Sequence, residues 1–203
     1  MISGDAGLIG KRVSRPNAKR LVAGRGRYSD DIQLLRMVHV AFARSPHPHA
    51  RIVSIDKTAA IEAEGVVAIL TGAELVRLCT PWTGGAAHIP LLRSPEQHAM
   101  AVDVVRWQGE PVAAVVAASR ALAEDAVDLL AIDWEALTAV SDAGAALAPG
   151  APPVHPGGAG NLAFEATAGG ARDGADTAQA AGDAIVSGTF TFGRHTGVPL
   201  ETR

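Results

Sequence analysis

The clearest alternation of hydrophobic and polar positions lies in the stretch RWQGEPVAAVVAASRALAEDAVDLLAIDWE, residues 106 to 135. Within it, Val112–Ala118 is a continuous apolar run, short enough for a strand that is buried on both faces. Ser119 follows as a helix N-cap, because its hydroxyl can accept a hydrogen bond from an amide of the first turn. The pattern therefore predicts a strand that leads directly into a helix.

The residues after Ser119 continue at helical spacing and then change to strand spacing. The predicted apolar face of the helix comprises Leu122, Ala126, Leu129 and Leu130. Beyond it, Ile132 and Trp134 alternate with Asp133 and Glu135, which predicts a second strand with one buried face. Strand, helix and strand in this order predict a right-handed βαβ crossover. Nothing in this unit is obviously catalytic.

Two strands joined by a proline-containing loop are predicted earlier in the chain. Val38–Arg44 and Arg51–Asp56 are the strands, and Ser45–Pro48 separates them because proline cannot donate a ladder hydrogen bond. His47 and His49 in this loop have two interpretations, as metal ligands or as hydrogen-bonding loop residues. No third ligand lies near them in the sequence, which favours hydrogen bonding.

A second alternation of helix and strand follows these residues. Lys57–Glu64 is predicted to be a short helix that ends at Gly65, since glycine suits a left-handed C-cap. Val66–Leu70 is the next strand, and Thr71–Glu74 fits a capping box that begins a helix ending near Leu78. The strand-helix pattern thus occurs twice.

Glycine and proline mark the irregular parts of the chain. Thr80–Glu96 is predicted to be a long loop, and Val102–Arg106 then leads into a turn at Gly109–Pro111. Ser141–Gly182 is rich in Ala, Gly, Pro and Asp and is predicted to be an extended connector. Ala175–Ala181 within it favours one or two helical turns.

A last strand is predicted at Ile185–Phe192, with Val186, Phe190 and Phe192 on one side. Few residues follow it to supply neighbouring strands. The segment is therefore interpreted as the start of a further domain, and its apolar side is expected to associate with a partner.

Composition and charge narrow the classes of protein. The net charge of −3 gives no global reason to expect nucleic acid or an anionic membrane as a partner. The single cysteine, Cys79, cannot form an intrachain disulfide or a cysteine-ligated cluster. No secretory signal is visible, and no apolar segment approaches the roughly 18 residues of a membrane span. We therefore expect a cytoplasmic protein without a membrane span.

The first 27 residues form a basic segment with two possible roles. Its charges could lie on phosphate, or they could meet acidic patches of the same protein or of a partner subunit; no nucleic-acid recognition fold supports the first role. Gly24–Arg27 lacks the strand and the lysine ending of a phosphate-binding loop. The seven basic residues are Lys11, Arg12, Arg15, Lys19, Arg20, Arg25 and Arg27, opposed only by Asp5.

The remaining candidate side chains do not form a catalytic set. Cys79 lacks an identifiable partner, and the pair Asp30-Asp31 is interpreted as a turn feature rather than a metal site. Glu110, beside Pro111, is interpreted as a loop carboxylate rather than a general base. The residues alone therefore indicate only a soluble α/β domain.

Several stretches occur in the order seen in one family. They are GRGRYSDDIQLLRMVHVAFARSPHPHARIVSID, GVVAILTGAEL and VVRWQGEPVAAVVAASRALAEDAVDLLAIDWEALTAV. Together they resemble the start of the molybdenum-binding large subunit of xanthine dehydrogenases, aldehyde oxidases and aerobic carbon monoxide dehydrogenases. The resemblance is densest from Gly24 to Val140, which is similar to the α/β hammerhead domain. Asn161-Leu162 and His195 to Glu201 resemble the connection into the first molybdopterin-binding domain.

The resemblance implies an α/β (α+β) fold class, with a hammerhead domain containing βαβ units, a linker and the first strand of a truncated molybdopterin-binding domain. The implied division is an irregular basic segment at residues 1–20, the hammerhead domain at 21–141, a Gly/Ala/Pro-rich connector at 142–183 and the truncated domain at 184–203.

The resemblance also implies a function. The chain is expected to be an N-terminal fragment or split piece of a molybdenum hydroxylase large subunit, an oxidoreductase that hydroxylates an aldehyde, an N-heterocycle or a similar small substrate. The complete enzyme is expected to hold molybdenum–molybdopterin in its cytosine dinucleotide form. Its expected partners are the remaining molybdopterin-binding domains and the iron–sulfur and flavin subunits. The alternative is a non-catalytic, stand-alone hammerhead module that acts as a scaffold for partner subunits.

No site residue can be carried over from the family. Its glycine-phenylalanine-glycine motif, molybdopterin-contacting loops and catalytic glutamate lie beyond the position that matches Arg203. Glu201 matches a family glutamate at the start of the molybdopterin domain and is not expected to be catalytic. The catalytic residues thus remain unknown, no cofactor-binding residue or metal ligand is expected, and the isolated chain is expected to be inactive.

Overall fold

The computed structural model describes residues 10–85, 89, 92–155, 160–166, 184, 186–193, 197 and 198. The chain divides into two compact units, one formed by Arg36–Val186 and the other by Met1–Leu35 together with Ser187–Arg203. In the latter unit, the described residues form helix α1 (Ala18–Val22) and a 3-10 turn at Ser29–Asp31.

The unit Arg36–Val186 contains six strands and four short helices among its described residues. The strands are β1 (His39–Arg44), β2 (Ala50–Asp56), β3 (Val66–Thr71), β4 (Val104–Val105), β5 (Pro111–Ala117) and β6 (Ala131–Ala136). The helices are α2 (Thr58–Ile61), α3 (Gly72–Leu75), α4 (Arg120–Val127) and α5 (Ala143–Ala146).

The strands form two three-stranded sheets, which we call sheet A, with the order β1–β5–β3, and sheet B, with the order β4–β2–β6. Every pairing is antiparallel. Consecutive strands alternate between the two sheets along the whole series. The mixed α/β class expected from the sequence is confirmed.

The predicted βαβ crossover is wrong in one respect. Helix α4 does connect two strands, but β5 belongs to sheet A and β6 to sheet B, so they are not parallel neighbours. Helix α2 likewise connects β2 of sheet B with β3 of sheet A. The physical reason is that each connection carries the chain across the core to the other sheet, where the new strand pairs antiparallel with its neighbours.

The core lies between α4 and the inner faces of the two sheets. Val115 and Ile69 of sheet A pack with Ala126 of α4, while Val127 and Leu130 contact buried residues from both sheets. Ala123 and Ala126 are the buried residues of α4. Leu129, predicted to face the core, is 47% exposed because the helix ends at Val127 and changes the direction of the following residues.

Two of the predicted caps are present, whereas Gly65 does not cap α2, because that helix ends earlier and its C-cap is Glu62. The Ser119 hydroxyl accepts a hydrogen bond from the Leu122 amide at 3.3 Å, and Thr71 forms a capping box with Glu74. Gly65 has a φ of +74°, the left-handed conformation that favours glycine. Helices α2 and α3 are shorter than predicted, since α2 ends at Ile61 and α3 at Leu75.

The start of the predicted connector carries local order, so its description as wholly extended is wrong. Asp142 caps α5 by accepting from the Ala145 amide at 2.7 Å. The Asn161 side chain accepts from the Val154 amide at 2.9 Å and donates to the Ala146 and Pro152 carbonyls, each at 3.0 Å. One amide side chain thus joins three points of the connector.

The last predicted strand is not formed in the described part of the segment. Residues 186–193 have no strand assignment, and Val186, Phe190 and Phe192 are 96%, 87% and 89% exposed. A strand needs a paired neighbouring strand, and the described residues of this segment belong to neither of the two sheets. The helical turns predicted at Ala175–Ala181 lie outside the described residues, as does Glu201.

Candidate functional site

The buried polar side chains of the described chain meet at the turn between β4 and β5. Ser45 is 2% exposed and Glu110 is 6% exposed, and they are the buried polar residues of the described region. The Ser45 amide donates to the Glu110 carbonyl at 2.9 Å, and the Gly109 amide donates to the Ser45 carbonyl at 2.8 Å. We call Ser45, Arg106, Gly109 and Glu110 the turn cluster.

The Glu110 side chain is held by the backbone of its own turn. Its Oε2 accepts a hydrogen bond from the Arg106 amide at 2.5 Å. Burial raises the pKa of this carboxyl above its ordinary value, while the Arg106 amide, the Arg106 charge and the Trp107 amide act in the opposite direction. A carboxylate with these partners can fix a turn, which agrees with the interpretation as a loop carboxylate.

Arg106 links the turn cluster to the connector. Its Nη1 donates to the Val104 carbonyl at 3.1 Å, and its Nε is buried without a hydrogen-bond partner among the described residues. Two effects lower the pKa of His155: burial, which is the larger, and the positive charge of Arg106. The His155 ring therefore lies within electrostatic reach of the guanidinium group.

The two loop histidines have contacts within the protein. The His47 ring packs edge-on against the Trp134 ring, with 5.7 Å between centroids. His49 Nδ1 lies 2.7 Å from the Thr138 carbonyl, a hydrogen bond in which the ring nitrogen donates. Across the residues that the structure describes, no group of three or more His, Cys, Asp or Glu side chains could hold a metal ion.

The other candidate side chains lie apart from the turn cluster. Asp31 Oδ2 accepts from the Tyr28 amide at 2.9 Å, which is a turn contact. Cys79 is an exposed free thiol. It borders a shallow surface depression with an empty volume of about 160 Å³. The depression is lined by Gly72, Leu75, Val76, Cys79, His98, Ala99 and Met100.

Comparison with known proteins identifies the protein family of this chain. The profile of a family described as "Aldehyde oxidase and xanthine dehydrogenase, a/b hammerhead domain" matches residues 23–138. The chain belongs to this family. The matched residues include all six strands and helix α4.

Individual relatives are large subunits of much greater length. The nicotine 6-hydroxylase large subunit of Paenarthrobacter nicotinovorans is 38% identical over 97% of this chain and 24% of its own length. The carbon monoxide dehydrogenase large chain of Afipia carboxidovorans is 38% identical over 71% of this chain and 17% of its own length. The chain therefore spans about a quarter or less of these relatives.

The fold is also that of solved enzymes. A crystal structure of quinoline 2-oxidoreductase from Pseudomonas putida 86 superposes with a TM-score of 0.70 and 40% identity, covering 78% of this chain and 20% of that protein. The resemblance to molybdenum hydroxylase large subunits is thereby confirmed in sequence and in fold.

The depression beside Cys79 does not fit a molybdopterin cofactor. Sites for cofactors of this size are clefts of roughly 300–1,000 Å³ with several converging polar groups. The empty volume of the depression is only about 160 Å³. Within the described region, no helix is long and apolar enough to span a bilayer.

Proposed function

We propose that this chain supplies the hammerhead region of the large subunit of a molybdenum hydroxylase. The observation that carries the proposal is the similarity to the nicotine 6-hydroxylase large subunit, which extends over 97% of this chain but only 24% of the relative. The oxidative hydroxylation of an aldehyde, an N-heterocycle or a similar substrate would then take place on the polypeptide that corresponds to the unmatched part.

The proposal assigns this chain a structural contribution. The turn cluster fixes the segment between β4 of sheet B and β5 of sheet A, and its Glu110 carboxylate satisfies a backbone amide that would otherwise be buried without a partner. Catalytic, cofactor-binding and metal-ligating residues would all lie outside this chain. The isolated chain would accordingly be inactive.

The fuller assignment has four parts. The complete enzyme would hold molybdopterin in the cytosine dinucleotide form, pass electrons to iron–sulfur and flavin centres on partner domains or subunits, and reside in the cytoplasm. Within this chain, the domain boundaries would be those implied by the resemblance, with the hammerhead domain at residues 21–141 and the connector at 142–183. Limited proteolysis that cuts first within the connector would support these boundaries.

A stand-alone scaffold is the second candidate. It is favoured by the capped elements and the hydrophobic core of Arg36–Val186. Such a module would bind partner subunits but would not be required for a molybdenum enzyme.

Metal analysis and activity measurements test the proposal. The tagged chain is purified alone and from its native host, and each preparation is assayed for molybdenum and for dye reduction. We expect no molybdenum or activity in the chain alone. In the native preparation we expect both, together with a co-purifying polypeptide that matches the rest of the large subunit. Stoichiometric molybdenum with turnover in the chain alone would overturn the proposal, and partners without molybdenum would favour the scaffold.

A further inference from the structure

The face of sheet A that points away from α4 is entirely apolar. The register places Val40 of β1 beside Val116 of β5, and Phe42 beside Ala114. On the other side of β5, Ala68 and Leu70 of β3 stand beside the same two residues. Directly opposed residues of antiparallel strands share a face. We call this surface the outer apolar face, formed by Val40, Phe42, Ala68, Leu70, Ala114 and Val116.

Such a face is unusual for an antiparallel sheet that has one face exposed to solvent. These sheets commonly present polar residues on the solvated side, whereas strands buried on both faces are apolar throughout. Strand β5 has the second pattern, PVAAVVA. Its inner side is covered by α4, but at the edge of the outer side Val40 and Phe42 are 50% and 44% exposed. Ala114 is 7% exposed and Ala68, Leu70 and Val116 are half-buried, so the composition indicates burial that the described residues do not provide at the β1 edge of this face.

The apolar composition of the face indicates a partner whose contact surface is uncharged and whose association is permanent. A charge at its rim is that of Arg44, whose guanidinium lies 5.6 Å from the centroid of the Phe42 ring while its Nη1 donates to the Gly109 carbonyl at 2.9 Å. This charge is thus held at the edge by the turn cluster. Interfaces of obligate complexes are the more hydrophobic class, whereas transient partners meet on more polar surfaces.

We propose that the outer apolar face is the docking surface for the molybdenum-cofactor-binding part of the large subunit. This inference rests on the proposed function, because the nicotine 6-hydroxylase large subunit has about three-quarters of its length outside the segment matched here. A polypeptide of that size in permanent association with this chain needs an apolar contact of several strands. The separate electron-transfer subunits would instead meet charged surfaces of the domain.

Two matched lysine substitutions test the docking surface. Val40→Lys places a charge on the outer apolar face, and Val53→Lys places the same charge on β2 of sheet B, where Val53 is 60% exposed. Tagged wild-type chain and both variants are expressed in the native host and purified under native conditions. Co-purifying polypeptides are identified by mass spectrometry, molybdenum is measured in each preparation, and thermal melts confirm that both variants fold.

We expect Val40→Lys to reduce the co-purified large-subunit polypeptide and its molybdenum by about tenfold or more, the effect of 1.4 kcal/mol in affinity. Val53→Lys should leave both unchanged. Equal recovery with both variants would overturn the docking surface while leaving the proposed function standing. Absence of any such polypeptide from the wild-type preparation would overturn both. A wild-type dimer that Val40→Lys converts to a monomer would assign the face to a second copy and contradict the proposal.

Discussion

Sheets A and B have the same number of strands and the same antiparallel pairing, yet their outer faces differ. In sheet B two outward cross-strand pairs are polar: Arg51 Nε donates to Glu135 Oε2 at 3.0 Å, and the Ser54 hydroxyl donates to Asp133 at 2.8 Å, with Val53 as an exposed apolar residue between them. In sheet A the corresponding surface is the outer apolar face. The sheets share one core, so their inner faces cannot account for the difference.

This difference separates a surface adapted to water from one adapted to a partner. Cross-strand charged pairs such as Arg51 and Glu135 keep an outer face soluble and well defined in register. Valine, phenylalanine and leucine at the equivalent positions of sheet A contribute nothing to solubility. Their presence across three strands is explained if this sheet is covered in the assembled protein.

The largest change in the free energy of unfolding is expected for a substitution on the inner face of sheet B. Ile132 and Trp134 of β6 pack against the core, whereas Asp133 and Glu135 are exposed. Trp134→Ala should lower the free energy of unfolding by about 3 kcal/mol, the low end for a large aromatic side chain because Trp134 is only partly buried. Asp133→Ala serves as the control and should cost far less. Equal denaturant midpoints for the two variants would show that the strand register is wrong.

The two faces of sheet A should respond differently to the loss of a valine. Val115 is fully buried, with 0% exposure, whereas Val40 is 50% exposed. In the isolated chain, Val115→Ala should cost about 2 kcal/mol and Val40→Ala less than about 0.7 kcal/mol, since the exposed side chain loses little buried area. Urea unfolding of both variants gives the comparison. A cost at position 40 equal to that at position 115 would mean that the outer face is already covered within the isolated chain.

The ion pair beside the end of sheet A should show a distinct dependence on pH. Lys57 Nζ lies 2.5 Å from Glu74 Oε1, and with the Thr71 amide it lowers the pKa of Glu74 from 4.5 to about 2. Because the folded pKa is depressed, the stabilisation is present above about pH 4.5 and is lost as the pH falls towards 2.

Glu74→Gln should therefore cost about 1 kcal/mol at pH 7, a value reduced from the full shift because the side chain is 43% exposed. Chemical unfolding at pH 7 and at pH 2.5 measures the change. The difference between wild type and variant should shrink at the lower pH, and a difference that stays constant would contradict the assignment.

The smallest contribution to stability is expected from the ion pair on the outer face of sheet B. Arg51 and Glu135 are 53% and 58% exposed, so a double-mutant cycle should give a coupling energy of about 0.3 kcal/mol that decreases in high salt. Arg51→Ala, Glu135→Ala and the double variant complete the cycle. A coupling above about 1.5 kcal/mol would indicate that this face, too, is shielded from solvent.

Local features of the fold could be predicted from the sequence because they depend on nearby residues. The Ser119 and Thr71 caps, the left-handed Gly65 and the inward side of Trp134 follow from hydrogen-bonding capacity, the lack of a Cβ atom and alternation. The hammerhead assignment required the resemblance, since the residue pattern alone indicated only an α/β domain.

The pairing of strands could not be predicted in the same way. Periodicity identifies β5, α4 and β6, but it contains nothing about which sheet each strand joins, and a connection across the core has the same local pattern as a parallel crossover. The apolar run of β5 did indicate burial on both faces. The turn cluster was missed because it depends on backbone hydrogen bonds with Ser45, which comes from a distant part of the sequence. Arg106, four residues before Glu110, and the proline after Glu110 were the local signals.

Thiol accessibility tests most directly whether the outer apolar face is covered in the assembled large subunit. Cys79 is the single cysteine, so a Cys79→Ala background allows one reporter at a time, at Val40→Cys on the outer apolar face or at Val53→Cys on sheet B. In the isolated chain both thiols should react with a maleimide at similar rates. In the assembled large subunit, the thiol at position 40 should become protected by about tenfold or more while the thiol at position 53 keeps its rate. Equal reactivity at the two positions in the assembly would contradict the account.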